Sequence, residues 1–280
     1  MTSSRMTSSR ITSKSNLAVL DVAPSVPASQ MSQMSQPSSV SKTHSGKHVV
    51  LATGGTGGHI YPAIAVAEEL TARGYLVTFV GQGNGLEARL VPQAGFNFVG
   101  VTAGKLDRQR PNPFEAMKAI WGCLQALRQV ARLRPTWVVG FGGFASFPAL
   151  AAAWLLRRPL ALHEANAYPG LVTKLFARPA RLIASVEAAI SNRLPKETLP
   201  VGLPIRLNQI DKAAARAHLG LPEDALVTLV MGGSQGAKVL NEVVPAAYEA
   251  LESTNRPHYV LHSAGRGRVD SVTRLTTSKH

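Results

Sequence analysis

A glycine-rich segment ending in histidine carries the residue types best suited to chemistry in this chain. It reads Thr-Gly-Gly-Thr-Gly-Gly-His at 53–59, between the apolar run 48–52 and the amphipathic pattern 60–73. This order is typical of a buried strand, a tight turn and a helix N-terminus. Glycines let the backbone approach a ligand closely, and the unpaired N–H groups of a first helical turn attract anions. We expect a diphosphate or a developing oxyanion there, with His59 placed to take or give a proton. The plainer interpretation is a tight turn capped by a histidine.

Three further motifs follow predicted strands and extend this pattern. A second glycine turn lies at 232–236, Gly142-Gly143 follows the run 137–140, and His163-Glu164 closes the run that begins at 160. Ligands of parallel α/β sheets bind where the carboxyl ends of the strands meet. We therefore expect the first glycine turn, the Gly142-Gly143 turn and the His163-Glu164 pair to form one site along one edge of a sheet.

The charge balance is strongly basic, with 30 lysines and arginines against 16 aspartates and glutamates and a formal net charge of +14. Such a charge attracts anionic surfaces, which include phospholipid, nucleic acid and phosphorylated ligands. The sequence has no zinc-finger spacing, no RNA-binding aromatic signature and no long basic run, so we expect no nucleic-acid partner. No apolar run is long enough to span a bilayer.

Cysteine and histidine usage argues against disulfide and metal chemistry. Cys123 is the single cysteine, which excludes a disulfide within the chain and a cysteine-cluster metal site. We interpret it as a buried, unreactive thiol. The eight histidines are scattered without metal-ligand spacing, so neither a metal nor another cofactor is predicted.

Residues 1–46 differ in composition from the rest of the chain. They are rich in Ser, Thr, Gln and Met, and Asp21 is their only acidic residue. A segment of this kind buries too little apolar surface to fold, so we expect it to be disordered. Two origins fit: an extension from an upstream start codon, which we favour, or an organelle transit peptide.

From Lys47 onward, short apolar runs alternate with helical patterns. This alternation predicts a parallel sheet covered by helices on both faces, a doubly wound Rossmann-like α/β fold, over residues 47–205. The predicted strands are 48–52, 76–80, 97–101, 137–140, 160–163, 182–185 and 198–201. The predicted helices are 60–73, 86–93, 113–132, 145–156 and 169–176.

A second unit of the same kind begins after a Gly- and Pro-containing connection at 202–206. Its predicted elements are a helix at 212–219, a strand at 226–231, a helix at 237–251 and a strand at 259–262. The pattern dissolves near residue 264. We therefore expect 206–264 to form an incomplete second Rossmann-like domain and 265–280 to be disordered.

Several ordered motifs together resemble the MurG glycosyltransferases over residues 47 to about 265. They are Gly-Gly-Thr-Gly-Gly-His at 54–59 followed by Tyr61-Pro62, Gly142-Gly143-Phe144, His-Glu-Ala-Asn at 163–166, Gly-Leu-Pro-Ile-Arg at 202–206 and Gly-Gly-Ser-Gln-Gly-Ala at 232–237. The resemblance implies a GT-B fold of two Rossmann-like domains with the active site between them. It implies an inverting hexosyltransferase that moves N-acetylglucosamine from UDP-GlcNAc to the C4 hydroxyl of lipid I, making lipid II in peptidoglycan synthesis.

The same resemblance implies partners and a location. The expected partners are UDP-N-acetylglucosamine, lipid I on its undecaprenyl carrier and an anionic membrane surface, with no nicotinamide and no essential metal. We expect a peripheral protein on the cytoplasmic face of the cell membrane, or a plastid protein if residues 1–46 are a transit peptide.

Individual site residues follow from the motifs by resemblance. His59 and Glu164 resemble the candidates for general base. The residues that resemble donor contacts are Thr56, Gly57, Gly58, Asn166, Arg206 and Ser234. Plainer roles exist for three of these residues. They are a helix N-cap for Ser234, a solvated side chain for Arg206 and an ion pair for Glu164.

Three positions depart from the family pattern. Ala165 stands where a glutamine is usual, Phe144 where a tyrosine is common and Leu203 where an asparagine is usual. The side-chain contact expected at 165 is therefore lost, and a hydroxyl contact to the acceptor at 144 is absent.

The predicted helix 113–132 carries an apolar stripe with basic neighbours. Its apolar residues at helical spacing are Phe114, Met117, Ile120, Trp121, Leu124 and Leu127, and the basic ones are Lys118, Arg128, Arg132 and Arg134. The plainer interpretation, which we favour for most of the apolar residues, is a helix with one core face. The hypothesis beside it is that an exposed part of this stretch docks on an anionic membrane.

Other functions fit parts of the sequence. One is another GT-B enzyme, such as a diacylglycerol glucosyltransferase or a UDP-sugar epimerase, and another is a non-catalytic nucleotide-sugar or anionic-lipid binding protein. A nicotinamide dehydrogenase fits poorly because the first turn lacks G-x-G-x-x-G spacing. Since the second domain stops early, we expect little or no transferase activity from this chain alone.

Overall fold

The computed structural model describes residues 17–20, 47–104, 113–206, 211–233, 236–251, 258–265 and 268. The chain divides into two compact units. The N-terminal unit is Pro37–Leu207, and the C-terminal unit combines Met1–Gln36 with Asn208–His280. Within the described residues, no helix combines the length and apolarity that a membrane crossing requires.

The described elements alternate as the sequence predicts. The strands are β1 (Leu17–Leu20), β2 (His48–Ala52), β3 (Leu76–Gln82), β4 (Asn97–Val101), β5 (Trp137–Gly140), β6 (Leu160–Glu164), β7 (Leu182–Ser185), β8 (Leu199–Pro200), β9 (Leu226–Met231) and β10 (His258–Ser263). The helices are α1 (Gly57–Ala72), α2 (Glu87–Gln93), α3 (Pro113–Leu133), α4 (Phe147–Leu155), α5 (Leu171–Phe176), α6 (Lys212–His218) and α7 (Lys238–Leu251), with short 3₁₀ turns at Phe144–Ser146 and Ala188–Arg193.

The N-terminal unit is built on a seven-stranded parallel sheet in the order β4-β3-β2-β5-β6-β7-β8. The chain runs outward from β2 to β4 and then returns to β5 on the other side of β2. Leu51 of β2 therefore pairs with Phe79 on one side and with Val139 on the other. The carboxyl ends of β2 and β5 meet at this reversal, which is where doubly wound sheets bind ligands.

Apolar side chains cover both faces of this sheet. Alternate residues of β2 belong to different clusters: Val50 and Ala52 pack with the cluster that contains Leu150, while Val49 and Leu51 pack with the cluster that contains Phe79. Because successive strand residues point to opposite faces, the two clusters lie on opposite sides of the sheet. The predicted doubly wound α/β architecture is confirmed.

Several boundaries differ from the prediction by a few residues, and two of these differences have a clear physical reason. Helix α1 begins at Gly57 rather than at residue 60, because the first N–H groups of a helix need no partner within the helix and glycine is tolerated there. Strand β3 continues to Gln82, since Gly81 and Gln82 still pair with β4 and the Gln82 N–H donates to Glu87 Oε1 at 2.9 Å.

The C-terminal unit contains a three-stranded parallel sheet in the order β1-β10-β9. Leu17–Leu20 pairs residue by residue with the segment Val260 to Ser263. Residues 1–46 are therefore not wholly without structure, because the apolar run Leu-Ala-Val-Leu adds a strand to the edge of β10. Ser234 lies outside the described residues, as does most of 265–280.

Candidate functional site

A cavity of 280 Å³ opens at the carboxyl edge of the seven-stranded sheet. Its lining comes from the start of α1, the turn after β5, the end of β6 and the start of α5. The residues that carry the argument below are His59, Gly142, Gly143, Phe144, Glu164 and Asn166. The structure thus brings together three of the predicted motifs, as their positions at strand ends indicated.

His59 lies in the first turn of α1 and faces the turn that follows β5. The carbonyl of the N-cap residue Thr56 accepts the N–H groups of His59 and Ile60 at 3.1 and 3.2 Å. The Thr56 hydroxyl lies 3.1 Å from His59 Nδ1. With the backbone and Nδ1 both held by Thr56, the ring keeps Nε2 on the side of Gly142, where a Cβ would lie 3.2 Å from it.

The Gly142-Gly143 turn admits only glycine. The φ angles are +87° at Gly142 and +75° at Gly143, a region that L side chains rarely adopt. A Cβ at Gly143 would lie 2.4 Å from the carbonyl oxygen of Gly54. The absence of side chains therefore lets the turn after β5 press against the turn after β2, and this close approach forms one wall of the cavity.

Glu164 is a buried carboxylate whose two oxygens accept four hydrogen bonds. Oε1 accepts the backbone N–H and the side-chain amide of Asn166 at 3.1 and 2.7 Å, and Oε2 accepts the Gly170 N–H and the Thr173 hydroxyl at 3.0 and 2.6 Å. Burial by itself would raise the pKa of Glu164, but these hydrogen bonds outweigh it and lower the pKa. A carboxylate with every lone pair engaged is a poor base, so this geometry fits a positioning role for Glu164.

His163 is a buried, neutral neighbour of the site. It is 5% exposed, its ring centroid lies 5.3 Å from that of Phe141, and its Nε2 has no hydrogen-bond partner in the described structure. Burial lowers the pKa of His163, Glu164 opposes this effect, and His59 adds a smaller lowering. Two imidazoles therefore lie near one another, with the buried one kept uncharged.

Glu87 is a site residue that the sequence did not reveal. It is 0% exposed and lies beneath the glycine-rich turn, where Oε2 accepts the Gly55 N–H at 3.2 Å. A Cβ at Gly54, Gly81 or Gly85 would lie within 2.9 Å of its side chain. Gly54 of the turn, together with Gly81 and Gly85 after it in the chain, thus leaves the space that this carboxylate fills. A glutamate at the start of a helix after Gly-Asn-Gly at 83–85 was the available signal.

The other predicted site residues that the structure describes lie outside the cavity lining; they are Thr56, Gly57, Gly58 and Arg206. Among the described residues, the amides of Gly57 and Gly58 have no hydrogen-bond partner, as expected for a helix N-terminus that can bind an anion. Arg206 does not line the cavity; its Nε donates to Glu68 Oε2 on α1 at 3.1 Å. The described residues contain no cluster of three or more potential metal ligands.

One face of α3 exposes large apolar side chains. Phe114, Met117, Ile120, Trp121 and Leu124 are each more than half exposed. The opposite face buries small or branched residues, Ala119, Ala126 and Val130. The single-core-face interpretation is therefore wrong for five of the six stripe residues, and only Leu127 packs against the core. The small buried residues permit close packing on α4, which leaves the large residues outside.

Cys123 on α3 is a free thiol of intermediate exposure. Burial raises its pKa, which favours the protonated and unreactive form. The raised pKa agrees with the expectation of an unreactive thiol, but the residue is only partly buried rather than buried as expected.

The fold and the site define a class of protein. A doubly wound parallel sheet with a glycine turn and a histidine at the strand reversal, followed by a second parallel α/β unit, is the GT-B arrangement of nucleotide-sugar glycosyltransferases. The family model described as "Glycosyltransferase family 28 N-terminal domain" matches residues 49–185, and that described as "Glycosyltransferase family 28 C-terminal domain" matches residues 227–279. The chain belongs to glycosyltransferase family 28.

Individual relatives narrow the resemblance to MurG. The chain is 46% identical over 200 residues to the UDP-N-acetylglucosamine–N-acetylmuramyl-(pentapeptide) pyrophosphoryl-undecaprenol N-acetylglucosamine transferase of Deinococcus radiodurans, covering 70% of this chain and 50% of that protein. Identity to the Thermus thermophilus protein of the same name is 43% over 223 residues, covering 79% and 64%. The chain spans about half the length of the first of these relatives.

Solved structures agree with this assignment. The crystal structure of Acinetobacter baumannii MurG is 30% identical and superimposes with a TM-score of 0.59, covering 83% of this chain and 63% of that chain. A UDP-N-acetylglucosamine 2-epimerase structure from Listeria monocytogenes, 12% identical with a TM-score of 0.53 over 84% of this chain and 66% of that chain, shares the fold alone.

Proposed function

We propose that this chain carries the acceptor-side catalytic unit of an inverting N-acetylglucosaminyltransferase. The proposed reaction moves N-acetylglucosamine from UDP-GlcNAc to the C4 hydroxyl of lipid I and yields lipid II and UDP. The observation that carries the proposal is the position of His59, whose Nε2 lies at the cavity between the glycine turn and Gly142. The relatives' names supply the substrates.

In this mechanism His59 is the general base. When Nδ1–H donates to the Thr56 hydroxyl, Nε2 is unprotonated and faces the cavity. The acceptor hydroxyl gives its proton to Nε2 as its oxygen bonds to C1 of N-acetylglucosamine, while the bond from C1 to the β-phosphate oxygen breaks and UDP leaves. Glu164, which accepts four hydrogen bonds, orients Asn166 at the cavity instead of taking the proton.

Two sets of groups would stabilise the donor. The free amides of Gly57 and Gly58 and the dipole of α1 would attract the diphosphate. Asn166, whose amide is fixed by Glu164, would present its side-chain oxygen to a sugar hydroxyl. Further donor contacts from Arg206 and Ser234 stay predictions, since Arg206 pairs with Glu68 and lies outside the cavity lining.

We propose that the exposed face of α3 binds an anionic membrane. Apolar side chains that project from one helix face insert at the headgroup boundary, and basic residues add attraction to anionic lipid. Trp121 and Leu124 supply exposed apolar area on this face, and Lys118 and Arg128 are exposed beside them. This surface would bring the cavity to a lipid-linked acceptor on the cytoplasmic face of the membrane.

The test is a single-turnover transfer assay with excess protein, radiolabelled UDP-GlcNAc and either lipid I or diacylglycerol. Slow labelling of lipid I alone is expected, and His59→Gln should reduce it by about 10²–10⁴-fold. Glu69→Gln, on the outer face of α1 and 61% exposed in its side chain, is the matched control. Labelling of diacylglycerol, or labelling that His59→Gln leaves intact, would contradict the proposal. Binding of either substrate without any transfer would instead support the non-catalytic binding protein.

A further inference from the structure

A second cavity, of 470 Å³, lies at the opposite edge of the sheet from the candidate site. It opens where β6 and β7 begin, whereas the candidate site lies where β6 ends. Three arginines line it, Arg157, Arg158 and Arg181, together with Trp154 and Leu155 at the end of α4. Neither the glycine turn nor His59 reaches this edge, so the proposed transfer reaction makes no use of this cavity.

The positive charge in this cavity is uncompensated. No acidic residue lines it, and none of its three guanidinium groups forms an ion pair with any residue that the structure describes. The Nε of Arg158 is buried and has no hydrogen-bond partner there. Buried polar groups normally have partners, and like charges that share one cavity repel one another. An anion in the cavity would relieve the repulsion among the three arginines.

The backbone at Arg157 is also unusual. Helix α4 ends in a Schellman motif, with Arg157 N–H donating to the Trp154 carbonyl at 3.0 Å and Arg158 N–H to the Ala153 carbonyl at 2.8 Å. This motif places residue 157 at φ +53°, a conformation that glycine adopts without strain and other residues adopt at a cost. The chain therefore has a strained arginine at a glycine position, and that arginine lines the cavity.

We propose that this cavity binds a phosphate group, either in a free phosphate compound or in the headgroup of a phospholipid. Arginine is suited to this role because its planar fork donates two parallel hydrogen bonds to phosphate oxygens. A phosphate in the cavity would lie among the guanidinium groups of Arg157, Arg158 and Arg181. Trp154 and Leu155, 57% and 62% exposed, supply an apolar rim.

The experiment uses the 280-residue chain with Trp121→Phe and Trp137→Phe, which leave Trp154 as the only tryptophan. Its emission then reports on this cavity alone, independently of any diphosphate bound at the candidate site. The probes are inorganic pyrophosphate and vesicles of phosphatidylglycerol, with phosphatidylcholine vesicles as the uncharged control. A saturable change in Trp154 emission with pyrophosphate identifies a free phosphate compound as the ligand. A change in emission with phosphatidylglycerol vesicles but not with pyrophosphate identifies the phospholipid headgroup.

The deciding variant is Arg157→Gly, because glycine relieves the positive φ while it removes the guanidinium. We expect its affinity for the probe to fall about tenfold, with thermal stability unchanged or raised. Arg134→Gly is the matched control: Arg134 also has a positive φ, +45°, after a helix, but lies outside the cavity. It should bind pyrophosphate like the parent, and the comparison between the two variants is made with that probe.

Either of two results would overturn the proposal. One is a parent chain whose Trp154 emission responds to neither probe. The other is equal affinity in the Arg157→Gly and Arg134→Gly chains, which would mean that the arginines only complement the C-terminal end of α4. If the chain with both tryptophan substitutions does not fold, the test uses the otherwise unchanged chain. The shift in melting temperature that pyrophosphate causes is then compared between Arg157→Gly and Arg134→Gly, and equal shifts would overturn the proposal.

Discussion

The imidazole of His59 packs directly on the backbone of Gly142. A Cβ at position 142 would lie 3.2 Å from both Cδ2 and Nε2 of the ring. His59 lies at the start of the helix that follows β2, and Gly142 lies in the turn that follows β5. The two residues are 83 positions apart in the chain, but β2 and β5 pair in the sheet. The position of the proposed base therefore depends on a glycine in another turn.

Gly142→Ala should displace His59 and lower transfer by more than tenfold. The positive φ of +87° also destabilises the variant, by about 1–2 kcal/mol. Gly95→Ala separates the two effects, since Gly95 has a similar φ of +83° but nothing within 4 Å of its Cβ position. Urea unfolding and the transfer assay are measured on both variants. Equal transfer in the two would show that the contact with His59 does not matter.

Glu87→Gln should destabilise the N-terminal unit by about 1–3 kcal/mol. The carboxylate accepts the N–H groups of Gly55 and Gln82, and an amide would turn a donor towards one of them. Urea unfolding measures the loss. The control is Glu69→Gln, which breaks an exposed ion pair with Arg73 and should cost well under 1 kcal/mol. An equally small loss at Glu87 would mean that the buried carboxylate does not hold the glycine turn.

Glu164→Gln should lower stability at neutral pH by about 2–3 kcal/mol, since charged acceptors form the stronger hydrogen bonds. The folded-state pKa of Glu164 is lowered from 4.5. Its contribution is therefore present above pH 4.5 and is lost as the pH falls further. The free energy of unfolding of both chains is measured from pH 7 to pH 3. We expect the difference between them to shrink below pH 4.5, and a constant difference would contradict this account.

His163 should make the chain acid-sensitive in a higher pH range. Its folded-state pKa is lowered from 6.5 by burial, so below pH 6.5 the unfolded chain binds a proton that the folded chain resists. Stability contributed by the neutral ring is then lost as the pH falls. His163→Phe, which keeps a ring against Phe141, should lose less stability between pH 7.5 and pH 5.5 than the parent in denaturant unfolding. Parallel losses would rule out His163 as the source.

If the exposed face of α3 binds membranes, substitutions on that face should weaken membrane binding. Trp121→Glu with Arg128→Glu removes apolar area and replaces positive with negative charge, so co-sedimentation with phosphatidylglycerol vesicles should fall several-fold. Leu199→Glu with Lys174→Glu makes the same change in charge at exposed positions elsewhere on the N-terminal unit. If this control pair reduces binding equally, net charge rather than the α3 face explains it.

The sequence alone determined the order of elements after residue 47 and predicted which edge of the sheet holds the site, but it missed the strand at Leu17–Leu20. Strands such as His48–Ala52 and Leu160–Glu164 are short apolar runs bounded by glycine or polar residues. The spacing of apolar residues and the residues that end each run are local properties of the chain, so they can be read without the structure. The rule that ligands bind at the carboxyl ends of parallel strands then brought the motifs at 53–59, 142–143 and 163–164 to one edge.

Only the tertiary structure decided what individual side chains do there. From the sequence, Glu164 is a candidate base, but in the structure its carboxylate accepts four hydrogen bonds. Glu87 looks like an ordinary helix residue in the sequence, but in the structure glycines pack against its side chain. The sequence offered an exposed face of α3 only as one of two interpretations, and it did not indicate the arginine cavity at all. Hydrogen-bond saturation, burial and unpaired charge depend on neighbours that are distant in sequence, and residue spacing along the chain carries no record of them.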